Sequence, residues 1–191
     1  MRSIEQKTCI RFIPRSGHSD YFYIQNTNDG CYTSSVGYRG GAVEMSLQSS
    51  SHGADCMHHS IVVHELLHVV GLWHEHMRYD RDNYVNIHTE NVASGLQSQF
   101  SIVRQSQSST YNVDYDYSSV MHYSKTAFSK DRRSITIEPL QSQYLNVIGR
   151  SKDMSASDIL KVNRMYNCNG NFDPTSSGQG SGSGGTQGDH S

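Results

Sequence analysis

One eleven-residue run, His64-Glu65-Leu66-Leu67-His68-Val69-Val70-Gly71-Leu72-Trp73-His74, constrains this chain more than anything else in it. On a helix, His64 and His68 stand four apart and project from one face, one turn from each other. Two neutral imidazoles so placed can bind a single Zn²⁺. Glu65 is displaced around the helix, so it reaches a water at the metal rather than the metal. Gly71 can adopt positive φ, which ends the helix and turns the chain back. The turn lets His74 bring a third nitrogen and leaves the fourth position open. Three protein ligands with an open position mark a catalytic zinc, whereas a structural zinc takes four. Five fixed positions at this spacing arise by chance in roughly one chain of this length in ten thousand.

The surrounding pattern says what carries that run. Ile61, Val62, Leu66, Val69 and Val70 recur at helical spacing, which predicts a helix over residues 57–70 with Gly71 as its stop. Upstream, residues 8–13 and 21–24 are rich in β-branched and aromatic side chains and are separated by the turn cluster of residues 15–20. Residues 42–47 alternate apolar and polar, as a half-buried strand does, and a Ser/Gly loop from Gln48 to Gly53 follows. Residues 80–150 hold many Ser, Gln and Asn and few regular runs. Ser155 and Asp158 then form a capping-box pattern before a helix with Ile159, Val162 and Tyr166 on one face. Strands first and helices later, with long irregular connections, is an α+β order.

Charge excludes two classes of function. Lys and Arg number 16 against 18 Asp and Glu, and no block of like charge occurs. Nucleic-acid binders and membrane-surface modules want a basic excess. No apolar stretch is long enough to span a bilayer. The four cysteines, Cys9, Cys31, Cys56 and Cys168, contain no C-x-x-C pair, so they read as a disulfide framework of an oxidising compartment. Three pairings are open, and spacing does not choose among them. No apolar signal segment opens the chain. From residue 171 the composition breaks. Seven of the sixteen glycines lie between Gly170 and the end, and no aliphatic or aromatic residue follows Phe172. Residues 1–170 are thus expected to form one folded domain and 171–191 a flexible tail or linker.

With Ser119-Val120-Met121-His122-Tyr123, the run His74-Glu75-His76-Met77-Arg78-Tyr79-Asp80, Lys7-Thr8-Cys9-Ile10-Arg11-Phe12 and Tyr166-Asn167-Cys168, the chain resembles the catalytic domain of the astacin family of zinc metalloendopeptidases. These belong to the metzincins, whose signature is the extended histidine run with a downstream Met-turn. The resemblance covers about residues 4–168. It implies a zincin-like architecture: a twisted N-terminal sheet with the active-site helix, then a largely irregular C-terminal subdomain ending in a helix. By the same resemblance His64, His68 and His74 are the ligands of one catalytic Zn²⁺, Glu65 is the base, and Met121 is the Met-turn residue. Tyr123 matches the tyrosine that in astacins can coordinate zinc and swings away to stabilise the transition state. His122 reads as structural, while His58, His59 and His76 are expected to face solvent or a loop.

The resemblance further implies the pairs Cys9–Cys168 and Cys31–Cys56, a secreted, extracellular, monomeric enzyme, and protein or peptide substrates that pair along residues 42–47 as the cleft-edge strand. Family domains begin earlier, so the start of the domain is expected to be missing, with Met1 inside a helix. In the family the mature N-terminus is buried near the acidic residue after the third histidine, here Glu75, and this chain is expected not to make that contact. Many astacins favour an acidic residue after the scissile bond, read by an arginine in an Ile-Gly-Gln-Arg stretch. Here the run is Ile148-Gly149-Arg150-Ser151-Lys152, which puts Ser151 at that arginine's place with Arg150 and Lys152 beside it. A weakened acidic preference carried by Arg150 or Lys152 is the expectation.

Overall fold

The computed structural model describes residues 1–49 and 55–168. The expected tail over 171–191 and most of the loop after Gln48 lie outside them.

Helix α2 (His59–Val70) occupies the expected segment and turns Val63, Leu66, Leu67 and Val70 inward. They meet a three-stranded sheet of β1 (Tyr21–Gln25), β2 (Cys31–Thr33) and β3 (Ala42–Leu47), ordered β1-β3-β2. β1 runs parallel to β3, with Tyr21 opposite Ala42, and β2 antiparallel to it, with Thr33 opposite Met45. Met45 and Leu47 of β3 join the helix's apolar face, Val120, Met121, Met154 and Val162 in one core.

Two sequence expectations change here. Residues 8–13 are not a strand; they follow a short helix, α1 (Arg2–Lys7), without regular secondary structure. Their β-rich composition serves packing instead, with Ile10 and Phe12 against the core and Phe12 edge-on to Phe22, ring centroids 5.9 Å apart. Residues 42–47 are the central strand, not the edge. The alternation suggested one solvated face, but Ser46 is wholly buried together with Met45 and Leu47, so both faces are covered at that end. The edges are β1 and β2. Glu44 ties them together, because Tyr23 of β1 donates to its Oε2 at 2.9 Å and Tyr32 of β2 to its Oε1. These bonds hold the Glu44 carboxyl below its ordinary range and push the Tyr32 phenol up to about 12.

The second half is built differently. A two-stranded antiparallel sheet, β4 (Val85–Ile87) with β5 (Ile137–Pro139), and a series of short 3-10 turns surround a second core. That core is aromatic: Phe100, Tyr115, Tyr117 and Tyr123 with Ile137 and Ile148. Helix α3 (Ala156–Met165) is the last element among the described residues. Its capping box is formed on both sides by Ser155 and Asp158. The class is α+β, as the element order in the sequence indicates. Cys9 is joined to Cys168 and Cys31 to Cys56, and no described cysteine is free.

Candidate metal centre

Helix α2 carries two of the three histidines on one face. At its end Gly71, with φ 125°, donates its N–H to Leu67 O and His68 O, and Leu72 N–H returns to Leu67 O. The reversal brings His74 back over the helix. The three Nε2 atoms then form a nearly equilateral triangle: 3.0 Å from His64 to His74, 3.1 Å from His64 to His68 and 3.0 Å from His68 to His74.

The other ring nitrogens identify the tautomers. His64 Nδ1 lies 2.8 Å from Val120 O and His68 Nδ1 2.7 Å from Leu72 O. A carbonyl can only accept, so each Nδ1 carries the proton and each Nε2 presents a lone pair. Lone pairs converging at this distance repel unless a cation lies among them. An all-imidazole tripod is a donor set that suits Zn²⁺. Among the described residues this is the one group of three or more metal-ligating side chains close enough to share an ion.

The turn at Ser119–His122 supports two sides of the triangle. Val120 O orients His64, and Met121 O accepts from Glu75 N–H at 2.9 Å, fixing the residue after His74. Met121 itself is buried in the main core. Asp158 of α3 holds this turn from below. Its carboxylate accepts from Ser119 Oγ at 2.6 Å and from Val120 N–H at 3.0 Å, besides capping its own helix. Burial raises the Asp158 carboxyl above its usual range against the pull of those donors. One helical turn further, Lys161 pairs with the buried Glu75, which also accepts from Arg78 and from Asp116 N–H. The cations on Glu75 are therefore side chains of this chain's own helix and loop.

Tyr123 packs its ring 4.3 Å from that of His74 and 4.3 Å from that of His76. His76 is wholly buried, contrary to the solvent or loop position expected for it; its Nε2 lies 3.0 Å from Gln99 O, and burial keeps it neutral. His58 and His59 are exposed at the start of α2. His122 donates Nδ1–H to Tyr123 O at 2.7 Å and so accepts from Tyr115 OH at Nε2, 2.7 Å away; burial lowers it to about 4. It fixes the backbone that carries Tyr123.

Glu65 is fully buried beside His64. Its Oε2 accepts from Thr33 Oγ1 of β2 at 2.8 Å. Sequence reading gave no hint of Thr33, because its partner is 32 residues away and a lone Thr in a strand carries no pattern. A cavity of about 750 Å³ opens beside the centre, with His64, Tyr123, Ala127 and Phe128 on its walls. Gly149 and Ser151 line it, while Arg150 and Lys152 stand exposed on either side of Ser151. The permanently charged residue among those lining it is Arg132, which sequence reading also missed. Arg132 has φ 60°, in a turn that Asp131 pins by accepting from Ser129, Arg133 and Ser134.

An α+β frame with three converging imidazoles on a helix–turn, a glutamate beside the first and the 119–122 turn bonded to His64 and Glu75 fits a metzincin-type zinc metallopeptidase domain. The family model for Astacin, a peptidase family, matches residues 1–167. The chain belongs to that family, whose members are zinc enzymes. It is 44% identical over 166 residues to zinc metalloproteinase nas-6 of Caenorhabditis elegans, covering 87% of this chain and 46% of that one. Meprin A subunit beta of Mus musculus is 43% identical over 162 residues, covering 85% and 22%. Among solved structures, high choriolytic enzyme 1, a hatching enzyme zinc-protease from Oryzias latipes, superposes with a TM-score of 0.79 at 38% identity, covering 88% of this chain and 79% of that one. The chain spans less than half the length of these two curated relatives.

Proposed function

We propose that residues 1–170 are the catalytic domain of a secreted zinc-dependent endopeptidase that hydrolyses internal peptide bonds of proteins or peptides. The observation that carries the reading is the convergence of three Nε2 atoms within 3.1 Å of one another, beside Glu65 and next to an open cavity. His64, His68 and His74 would hold the ion. When bound, zinc supplies Lewis acidity that makes a water acidic and polarises a carbonyl. Glu65 takes the proton of the attacking water and passes it to the leaving amine. Tyr123 donates a hydrogen bond from its phenolic O–H to the oxygen on which charge develops. An extended substrate pairs with the outer edge of β2, and the side chain after the scissile bond enters the cavity lined by Ser151 and Arg132. Two disulfides support an oxidising, extracellular setting. The domain acts as a monomer. An inactive relative would be expected to have lost Glu65 or a ligand, and this chain keeps all four.

Replacing Glu65 by Gln tests the reading. The variant should bind zinc as the parent does and lose peptide hydrolysis by several orders of magnitude. Near-native activity in the Gln variant, or zinc binding without cleavage of a denatured protein by the parent, would overturn it.

A further inference from the structure

We propose that Thr33 is the positioning residue for Glu65, a role that rests on reading Glu65 as the general base. Glu65 is 0% exposed, and a carboxylate so buried needs a donor to hold its charge and its direction. Thr33 Oγ1 lies 2.8 Å from Glu65 Oε2 and 3.1 Å from the Glu65 backbone oxygen. Its single proton is shared between two acceptors of one residue, so the bond folds the side chain against its own stretch of helix. That contact assigns anchoring to Oε2 and proton transfer to Oε1. A base that takes a proton from water and delivers it to an amine must point the same way in both steps. Glutamate has three side-chain torsions, and the last is broad, so without an anchor that direction is not fixed.

Thr33 can serve as an anchor because it does not move itself. It is 3% exposed, pairs with Met45 on β3, and as a β-branched residue has little χ1 freedom. Its strand is fastened to α2 at both ends. Two residues earlier Cys31 is bonded to Cys56, just before the helix; four residues later Gly37 N–H donates to His68 O at 2.8 Å. Thr33 meets Glu65 between those two ties. The strand on which an extended substrate would pair therefore also carries the donor that aims the base.

The test compares Thr33→Val, which keeps the shape and removes the hydroxyl, with Thr33→Ser, which keeps the hydroxyl. The valine variant should lose about ten- to hundredfold in kcat, as outer-shell partners do, with KM, zinc content and unfolding midpoint near those of the parent. The serine variant should recover most of the kcat. A crystal structure of the zinc-free valine variant should show the Glu65 carboxylate turned from its parent position. If the valine variant does not fold, Thr33→Ala is read the same way. Unchanged kcat without the hydroxyl, an equal loss in the serine variant, or an unmoved carboxylate overturns the inference. Glu65→Gln separates it from the reading beneath it: an active Gln variant removes the base itself, whereas an inactive one with a normal Thr33→Val removes only the role of Thr33.

Discussion

At the scale of single residues, the centre is a set of side chains whose second atoms are already committed. The His64 and His68 tautomers are each fixed by a carbonyl, and removing one of the three rings leaves only two imidazoles, which hold a cation poorly. His68→Ala should therefore drop zinc below one equivalent after dialysis, measured by elemental analysis, while Glu65→Gln stays near one. Retention of a full equivalent by His68→Ala would remove His68 from the ligand set. A second residue is governed by space rather than charge. Gly149 has φ 69°, and a Cβ there would stand 2.4 Å from Ser124 N and Cα, both backbone atoms beside Tyr123. Nothing flexible can yield, so Gly149→Ala should cost about 2 kcal/mol or more in denaturant unfolding. A neutral substitution would show that the two backbones are not so close. The convergence of His64, His68 and His74 and the places of Glu65 and Met121 were readable in the sequence because one helix and one short turn position them. Thr33 and Arg132 were not, since folding alone brings Thr33 to Glu65 and Arg132 to the cavity wall.

Elements explain the rest of that division. α2 and α3 announce themselves by period, stop and cap, all local. The edge position of β2 is not local: three residues carry no period, and only pairing shows that β3 lies between β1 and β2. The tie between α1 and α2 is equally hidden. Asp153, just before α3, accepts from Ser3 at 2.9 Å and Lys7 at 2.7 Å of α1, and lies 3.3 Å from His59 at the start of α2. Burial tends to raise its carboxyl, but Lys7, the Met154 N–H, Ser3 and His59 outweigh it and hold the group well below the usual carboxylate range. A depressed folded pKa stabilises the fold above the unfolded value, and that stabilisation is lost as pH falls toward the folded one. Asp153→Asn should thus lower stability by about 1 kcal/mol at neutral pH, the pair being a third exposed and screened. The gap between parent and variant should close below about pH 4. A gap that widens on acidification would reverse the assigned sign. The cavity loops make a separate prediction. Arg132 lines the cavity and Arg150 and Lys152 only flank it, so library profiling should find an Asp or Glu preference after the scissile bond of about fivefold or less, weakening with salt. Arg132→Ala should remove more of it than Arg150→Ala or Lys152→Ala. A hundredfold acidic preference, or a hydrophobic one, would count against this arrangement.

Across the whole molecule, the two halves have unlike cores, one aliphatic around α2 and the sheet, one aromatic around Tyr123. The class was legible because the strand-like segments and the two long helices occupy separate stretches of the chain, although α1 precedes the sheet and β4 and β5 follow α2. The packing of residues 80–150 was not, because tyrosines stacked face to face, such as Tyr117 and Tyr144 at 4.2 Å, leave no periodic trace. What binds the ends is covalent. Cys9–Cys168 closes a loop over a separation of 159 residues, and Cys31–Cys56 one over 25. In the chain-entropy model these clamps restrict the unfolded state by about 5 and about 3.5 kcal/mol, an upper figure when summed. A metal acts through binding alone: at a free concentration a thousandfold above its Kd it stabilises by about 4 kcal/mol. Net stabilities of such domains are only about 5–15 kcal/mol, so the clamps account for much of the margin and the ion for less. The His64 and His68 imidazoles are also held by Val120 O and Leu72 O, bonds that do not involve an ion, so the structural effect of metal removal should stay near the cavity. A variant with all four cysteines changed to serine, loaded with zinc, should accordingly unfold at lower urea than the oxidised protein stripped of zinc. Circular dichroism along both titrations measures it. The reverse order would mean that the metal, and not the covalent frame, holds this domain together.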